Sequence, residues 1–142
     1  RVDLAFELAE LDVDVIPLNF LNPMEGTPMA DRPLLPPMDA LRTIAMFRFV
    51  NPKKEIMVAG GREVTLRELQ PLMFVAGASA TMAGHYLTSQ GRSSADDHRM
   101  IEDMELDWLP PGHARPEPLK KPTSSAPVSK GVRFPVLDRA DL

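Results

Sequence analysis

The sequence predicts an α/β fold on a parallel sheet, because three times along the chain a short strand candidate, twice β-rich and apolar and the third time rich in small residues, is followed by a loop and then by helical periodicity. Two further observations refine this. The chain opens at Arg1 inside a helical pattern with no capping residue ahead of it, and it closes on a Pro-rich stretch with almost no apolar periodicity. A closed eight-unit barrel takes about 250 residues. Three units in 142 residues therefore make either a small open sheet or the C-terminal part of something larger, and the opening inside a helix favours the second.

Each element has its own justification. Arg1 to Leu11 places Val2, Phe6, Leu8 and Ala9 with Glu7 and Glu10 interspersed among them, a helical pattern. Val13 to Leu21 reads as a strand buried on both faces of the sheet. Asn22 to Pro37 is a loop holding Pro23, Pro28, Pro33, Pro36 and Pro37, after which Asp39 can cap a helix through Leu41, Ile44, Ala45, Phe47 and Phe49, closed by Asn51-Pro52. Ile56-Met57-Val58, within Glu55 to Ala59, is the second strand and ends in Gly60-Gly61. Thr65-Leu66-Arg67-Glu68 has capping-box spacing and predicts a helix to about Val75. Ala78 to Met82 is the third strand, and Ser94 ahead of Ala95-Asp96-Asp97 caps a last helix to Met104. Pro110 to Leu142 cannot bury enough apolar surface to offset chain entropy, so the chain divides into residues 1–109 and a disordered tail, 110–142.

Composition excludes several functions. Sixteen Lys and Arg against twenty Asp and Glu give a net charge of −4, which repels a phosphate backbone or an anionic membrane surface, so no nucleic acid and no membrane is expected as partner. No apolar run approaches the roughly 18 residues that cross a bilayer, the first ten residues do not form a signal segment, and the chain reads as cytoplasmic. There is no cysteine, which removes disulfides, thiolate nucleophiles, zinc on sulfur and any cysteine-held iron–sulfur cluster from what the chain does unaided.

Ligands in parallel α/β folds sit beyond the C-terminal strand ends. Three loops qualify: Asn19-Phe20-Leu21-Asn22-Pro23 with Gly26-Thr27-Pro28, then Ala59-Gly60-Gly61-Arg62-Glu63, then Gly84-His85-Tyr86-Leu87-Thr88. Gly60-Gly61 lets backbone approach a ligand, and Arg62 beside Glu63 offers either a fork for a carboxylate or an ion pair at a tight turn. Neither GxGxxG nor a GKS or GKT ending is present. Asn19, in an apolar strand, either fixes a polar ligand such as a urea or is satisfied by neighbouring backbone. His85, His98 and His113 are too scattered for a metal site. The nine methionines read as dispersed core filler, and Asp96, Asp97, Glu102, Asp103 and Glu105 as a solvated acidic face.

The wording of these loops resembles the biotin synthase family. Pro17-Leu18-Asn19-Phe20-Leu21-Asn22-Pro23, Gly26-Thr27-Pro28, Leu41-Arg42-Thr43-Ile44-Ala45, Gly60-Gly61-Arg62-Glu63-Val64, Leu69-Gln70, Ala76-Gly77-Ala78 and Gly84-His85-Tyr86-Leu87-Thr88 follow one order across about residues 1 to 106. The stretch is similar to that family's C-terminal region, shared more broadly with biotin- and thiamin-synthesis associated enzymes. The resemblance implies the last three units of a (β/α)8 TIM-type barrel in a radical S-adenosylmethionine enzyme that inserts sulfur into dethiobiotin, with 4Fe-4S and 2Fe-2S clusters and a homodimer for the complete protein. It implies dethiobiotin binding for Asn19 and S-adenosylmethionine binding for Phe20, Leu21 and Asn22. It also implies that the cluster cysteines belong to a half of the barrel that would precede Arg1. At the place of the family's arginine ligand to the two-iron cluster stands Met57, a departure that alters local charge and hydrogen bonding.

The leading expectation is thus a piece of such an enzyme, inactive by itself, with no catalytic residue and no metal ligand of its own. Against it stand a noncatalytic truncated or degenerate relative whose strand edge binds another chain, suggested by Met57 and the unfamiliar tail, and a stand-alone small-molecule binding domain.

Overall fold

The computed structural model describes residues 1–84, 86 and 91–107. A first helix, α1 (Val2–Glu10), is followed by β1 (Val15–Leu18), α2 (Pro37–Val50), β2 (Glu55–Val58), α3 (Arg62–Leu66), a 3-10 turn (Arg67–Leu69), α4 (Leu72–Val75), β3 (Ala80–Thr81) and α5 (Ser94–Asp103). The three strands form one parallel sheet in the order β1-β2-β3. Val15 pairs with Glu55 and Leu18 with Val58, and Met57 pairs with Ala80. The α/β class and the parallel strands expected from the sequence are present; closure into a barrel is not seen in these three strands.

The core lies on one face of the sheet. Ile16, Leu18, Ile56 and Val58 meet Ala40, Leu41, Ile44 and Phe47 of α2, with Ala5 of α1, Leu66 and Met73 completing the cluster. Here the first strand departs from expectation: it alternates, with Val15 exposed, Ile16 and Leu18 buried and Pro17 exposed between them. It is an edge strand among the described residues, so only one of its faces is covered. The even-numbered residues bond β2, through Glu55 N–H to the Asp14 carbonyl, Ala59 N–H to the Leu18 carbonyl and Phe20 N–H to the Gly60 carbonyl. The backbone groups of Val15, Pro17 and Asn19 consequently face the open edge.

Three helix starts also differ. Helix α2 begins at Pro37 behind Pro36, because a proline ring pre-sets the helical φ and lacks only a hydrogen that no intrahelical partner needs. Asp39 is therefore inside the first turn, where its carboxylate takes Arg42 Nη1 at 2.7 Å rather than capping. The helix expected from Thr65 to Val75 is broken into α3, the 3-10 turn and α4. Pro71 has no N–H to donate, and its ring would strike the carbonyl four residues back, at Arg67, where the chain turns out at φ 52. The Thr65 hydroxyl is buried without a hydrogen-bond partner among the described residues, so no capping box forms. Ser93, not Ser94, caps α5, accepting from Asp96 N–H at 3.1 Å.

The far end of the sheet, away from the predicted site loops, is closed by Arg48. Its guanidinium donates to the carbonyls of Gly77 at 2.8 Å, Asn51 and Pro52 at 3.2 Å and Lys54 at 2.6 Å, and to Ser79 Oγ at 3.2 Å. Asn51 Nδ2, buried, donates to the Ala5 carbonyl at 3.1 Å and ties α1 to the end of α2. Of the methionines, Met73 and Met100 are buried as core filler, whereas Met24, Met29, Met38 and Met82 are exposed. Residues 110–142, on which the expected disordered tail and His113 fall, lie outside the described residues, as do His85, Leu87 and Thr88. No helix among the described residues is long and apolar enough to cross a membrane.

Candidate functional site

The C-terminal ends of β1 and β2 are joined by hydrogen bonds that converge on Gly60. Gly60 N–H donates to Asn19 Oδ1 at 2.9 Å, and Phe20 N–H returns a bond to the Gly60 carbonyl at 2.9 Å. Asn19 is exposed, not buried as its apolar setting suggested, because alternation along an edge strand turns it to the uncovered face. Its oxygen is satisfied by loop backbone. Its Nδ2 has no partner among the described residues, so what Asn19 offers is a fixed donor pair. Phe20 is buried, while Leu21 and Asn22 beyond it are exposed, and their backbone groups bond no other described residue.

Gly60-Gly61 serves the chain itself before any ligand. Gly61 sits at φ 77, and a Cβ there would overlap the Phe20 carbonyl oxygen, so the residue must be glycine for the two strand ends to close on each other. Gly61 then precedes α3, and Arg62, its first residue, turns inward.

Arg62 and Asp97 are both fully buried and meet at 2.6 Å between Nη2 and Oδ2. The alternative of an ion pair at a tight turn is thus realised, and Arg62 is not available to a ligand. Glu63 lies 3.4 Å from Arg62 Nε, and Arg92 Nε is 3.8 Å from Asp97 Oδ1. Tyr86 donates to Glu63, 2.9 Å from Oε2, with the Ala59 carbonyl at 3.2 Å. Burial works against the Arg62 charge, but the hydrogen bond and charge of Asp97, then Glu63, outweigh it and hold the guanidinium above its ordinary pKa. Burial first, then the Glu63 carboxylate, push the Tyr86 phenol above its usual value, so the hydroxyl stays protonated and keeps donating.

Asp97 was legible as part of an acidic helix but not as its buried member. The signal was there: Met100 and Ile101 stand three and four residues on, which puts Asp97 on the apolar face of α5. An open cavity of about 510 Å³ lies beside this network, lined by Glu63, Arg67, Glu68, Gln70, Pro71 and Arg92. None of Asn19, Phe20, Leu21 and Asn22 borders it.

Iron–sulfur clusters do not fit this chain. It has no cysteine, and no group of three or more His, Asp or Glu among the described residues could hold a metal ion. Met57 is half-buried on β2, in register with Pro17 and Ala80, and brings no charged group to that place.

Residues 17–107 match the family described as the Biotin and Thiamin Synthesis associated domain. The chain is 58% identical over 102 residues to a biotin synthase of Syntrophus aciditrophicus, a match covering 72% of this chain and 31% of that protein. It is 56% identical over 106 residues to a biotin synthase of Geobacter metallireducens, covering 75% and 32% respectively. With a biotin synthase of Heliobacterium modesticaldum it shares 49% over 106 residues, again 75% and 32%. The chain spans about a third of the length of these curated relatives.

Proposed function

The chain belongs to the Biotin and Thiamin Synthesis associated domain family, and from that premise we propose that it is the C-terminal part of a biotin synthase, contributing substrate and cofactor contacts to the conversion of dethiobiotin to biotin. The observation that carries this is the 58% identity over 102 residues to a protein of that name. The fold supports it in two ways. Three parallel strands with an open β1 edge are what three successive staves of a (β/α)8 barrel look like when its other strands are absent, and the exposed Val2, Leu4 and Phe6 of α1 supply apolar surface for those neighbours. The free donors of Asn19 stand at the C-terminal rim, where such barrels bind their ligands.

Asn19 contacts dethiobiotin. Because its Oδ1 is held by Gly60 N–H, it meets the ureido ring through Nδ2 and reads the ring's carbonyl oxygen, an acceptor, rather than its N–H groups. The exposed backbone at Leu21 and Asn22, with Phe20 anchoring it from below, lines the S-adenosylmethionine side of the site. S-adenosylmethionine supplies the hydrogen-abstracting radical when bound in the complete enzyme. The chain's own residues bind and orient, and no step of the chemistry is assigned to them. The clusters, 4Fe-4S and 2Fe-2S in the family resembled, are held by segments other than this one. The complete protein is a cytoplasmic homodimer in this reading.

The test is conversion of dethiobiotin to biotin by the complete protein that carries these residues, together with dethiobiotin affinity of its Asn19→Ala variant. Turnover with affinity weakened about tenfold is expected, the order of one lost hydrogen bond. Unchanged affinity would return Asn19 to a purely structural role. A second reading, a noncatalytic relative, is favoured by Met57, and absence of biotin formation by the complete, cluster-loaded protein would establish it over the first.

A further inference from the structure

The Arg62–Asp97 pair is a costly way to hold a helix. Both side chains are fully buried, yet among the described residues Arg62 Nε and Nη1 and Asp97 Oδ1 have no hydrogen-bond partner, only the longer ion-pair contacts of Arg62 Nε with Glu63 and of Asp97 Oδ1 with Arg92. Buried pairs of this kind contribute little net stability and are often replaceable by apolar side chains without loss. What the pair does fix is position. Arg62 follows directly on Gly60-Gly61, and that turn is held by two further bonds: Phe20 N–H to the Gly60 carbonyl at 2.9 Å and Thr65 N–H to the Gly61 carbonyl at 3.1 Å. From the same turn Gly60 N–H holds Asn19 Oδ1 at 2.9 Å. Asp97 on α5, Arg62 at the start of α3 and Asn19 past the end of β1 are thereby connected in one line through all three strand–helix units.

We propose that Asp97 is a positioning residue for Asn19, acting through Arg62 and the Gly60-Gly61 turn to aim the Asn19 Nδ2 donors at the substrate's carbonyl oxygen. This rests on the assignment of Asn19 to dethiobiotin made above. Asp97 itself touches no ligand. With its carboxylate gone, Arg62 is left buried without its 2.6 Å partner and moves, the turn follows, and Gly60 N–H no longer fixes the carboxamide.

The experiment is a double-mutant cycle on dethiobiotin affinity, measured by anaerobic calorimetry on the complete holoenzyme with Asp97→Asn, Asn19→Ala and the two combined. Asp97→Asn is expected to weaken binding about two- to tenfold, within the worth of one hydrogen bond, and to add nothing in the Asn19→Ala background. An effect of equal size in both backgrounds overturns the proposal, since a merely structural loss would not depend on Asn19. So does unchanged affinity of Asp97→Asn alongside weakened affinity of Asn19→Ala, in which case the substrate assignment stands and the relay falls. If Asn19→Ala binds normally, the assignment itself fails and takes the relay with it. Should Asp97→Asn not fold, the paired replacement Arg62→Met/Asp97→Leu removes both charges: weakened binding that vanishes in the Asn19→Ala background supports the relay, and wild-type affinity sinks it.

Discussion

Asn19 and Gly60 lock the ends of two parallel strands together through a side-chain oxygen and a backbone N–H 2.9 Å apart. The bond spans forty-one positions in sequence and turns an exposed asparagine into a donor of fixed direction. A Cβ on Gly60 would come to 3.0 Å from that same oxygen, with no positive φ to forbid it. Gly60→Ala is therefore expected to change folding stability by less than about 1 kcal/mol in urea denaturation while shifting the Asn19 carboxamide, so that dethiobiotin binding by the complete protein weakens. Equal affinity for wild type and variant would show that Asn19 is not aimed by this contact.

Gly61 and Gly26 share a positive φ, at 77 and 79, but not their surroundings. At Gly61 a Cβ would overlap the Phe20 carbonyl, whereas at Gly26 nothing lies within 4 Å. Gly61→Ala should cost at least about 3 kcal/mol, from backbone strain plus steric displacement, and Gly26→Ala only about 1 kcal/mol from strain. Similar midpoints for the two variants in thermal unfolding would contradict the close approach.

Removing Arg48 tests the opposite end of the sheet. Arg48→Ala strips four carbonyls and the Ser79 hydroxyl of a charged donor. An expected loss of about 2 kcal/mol by urea denaturation follows from hydrogen bonds to a partly solvated charge. Arg48→Lys, with a point charge in place of a planar fork, should recover only part of it.

Tyr86 is the sole tyrosine of the chain, so its phenolate absorbance titrates without overlap from another tyrosine. The midpoint should lie above the ordinary value of 10.0, because burial and Glu63 both disfavour the anion. With the folded pKa above the unfolded one, the stabilisation is complete below the unfolded value and is lost as pH rises through the folded one. Tyr86→Phe should accordingly flatten the decline of stability at alkaline pH; an unchanged slope would mean that Tyr86 does not drive it.

Anaerobic reconstitution of the 142-residue chain with iron and sulfide should leave no visible-region cluster absorbance, since it offers no cysteine. A stoichiometric cluster would show ligands that the sequence does not suggest.

Much of the fold is written in local pattern. Short runs bounded by turn residues mark all three strands, and period-3.6 spacing marks both long helices after β1, whereas the alternation of β1 is not read from its apolar run. Local pattern misleads where one rule meets another. Thr65 to Glu68 spells a capping box, but Pro71 breaks the helix it would start, and a proline's reach back to Arg67 outweighs one side-chain cap. Asp39 and Ser94 have the right chemistry but stand three residues and one residue beyond the true N-cap positions, Pro36 and Ser93. The loops at the strand ends are legible, as is the satisfaction of Asn19 by loop backbone, yet the Arg62–Asp97 pair is not, because it joins residues thirty-five apart and pairing across a fold leaves no local trace.

Pro17 sits in the middle of the uncovered strand edge with Val15 and Asn19 on either side. Its ring nitrogen carries no hydrogen, so a foreign backbone laid along that border finds an acceptor there but no matching donor. Two copies zipping together side by side would each forfeit a rung at this spot. A neighbouring strand that pairs along this border has to be built around the missing rung.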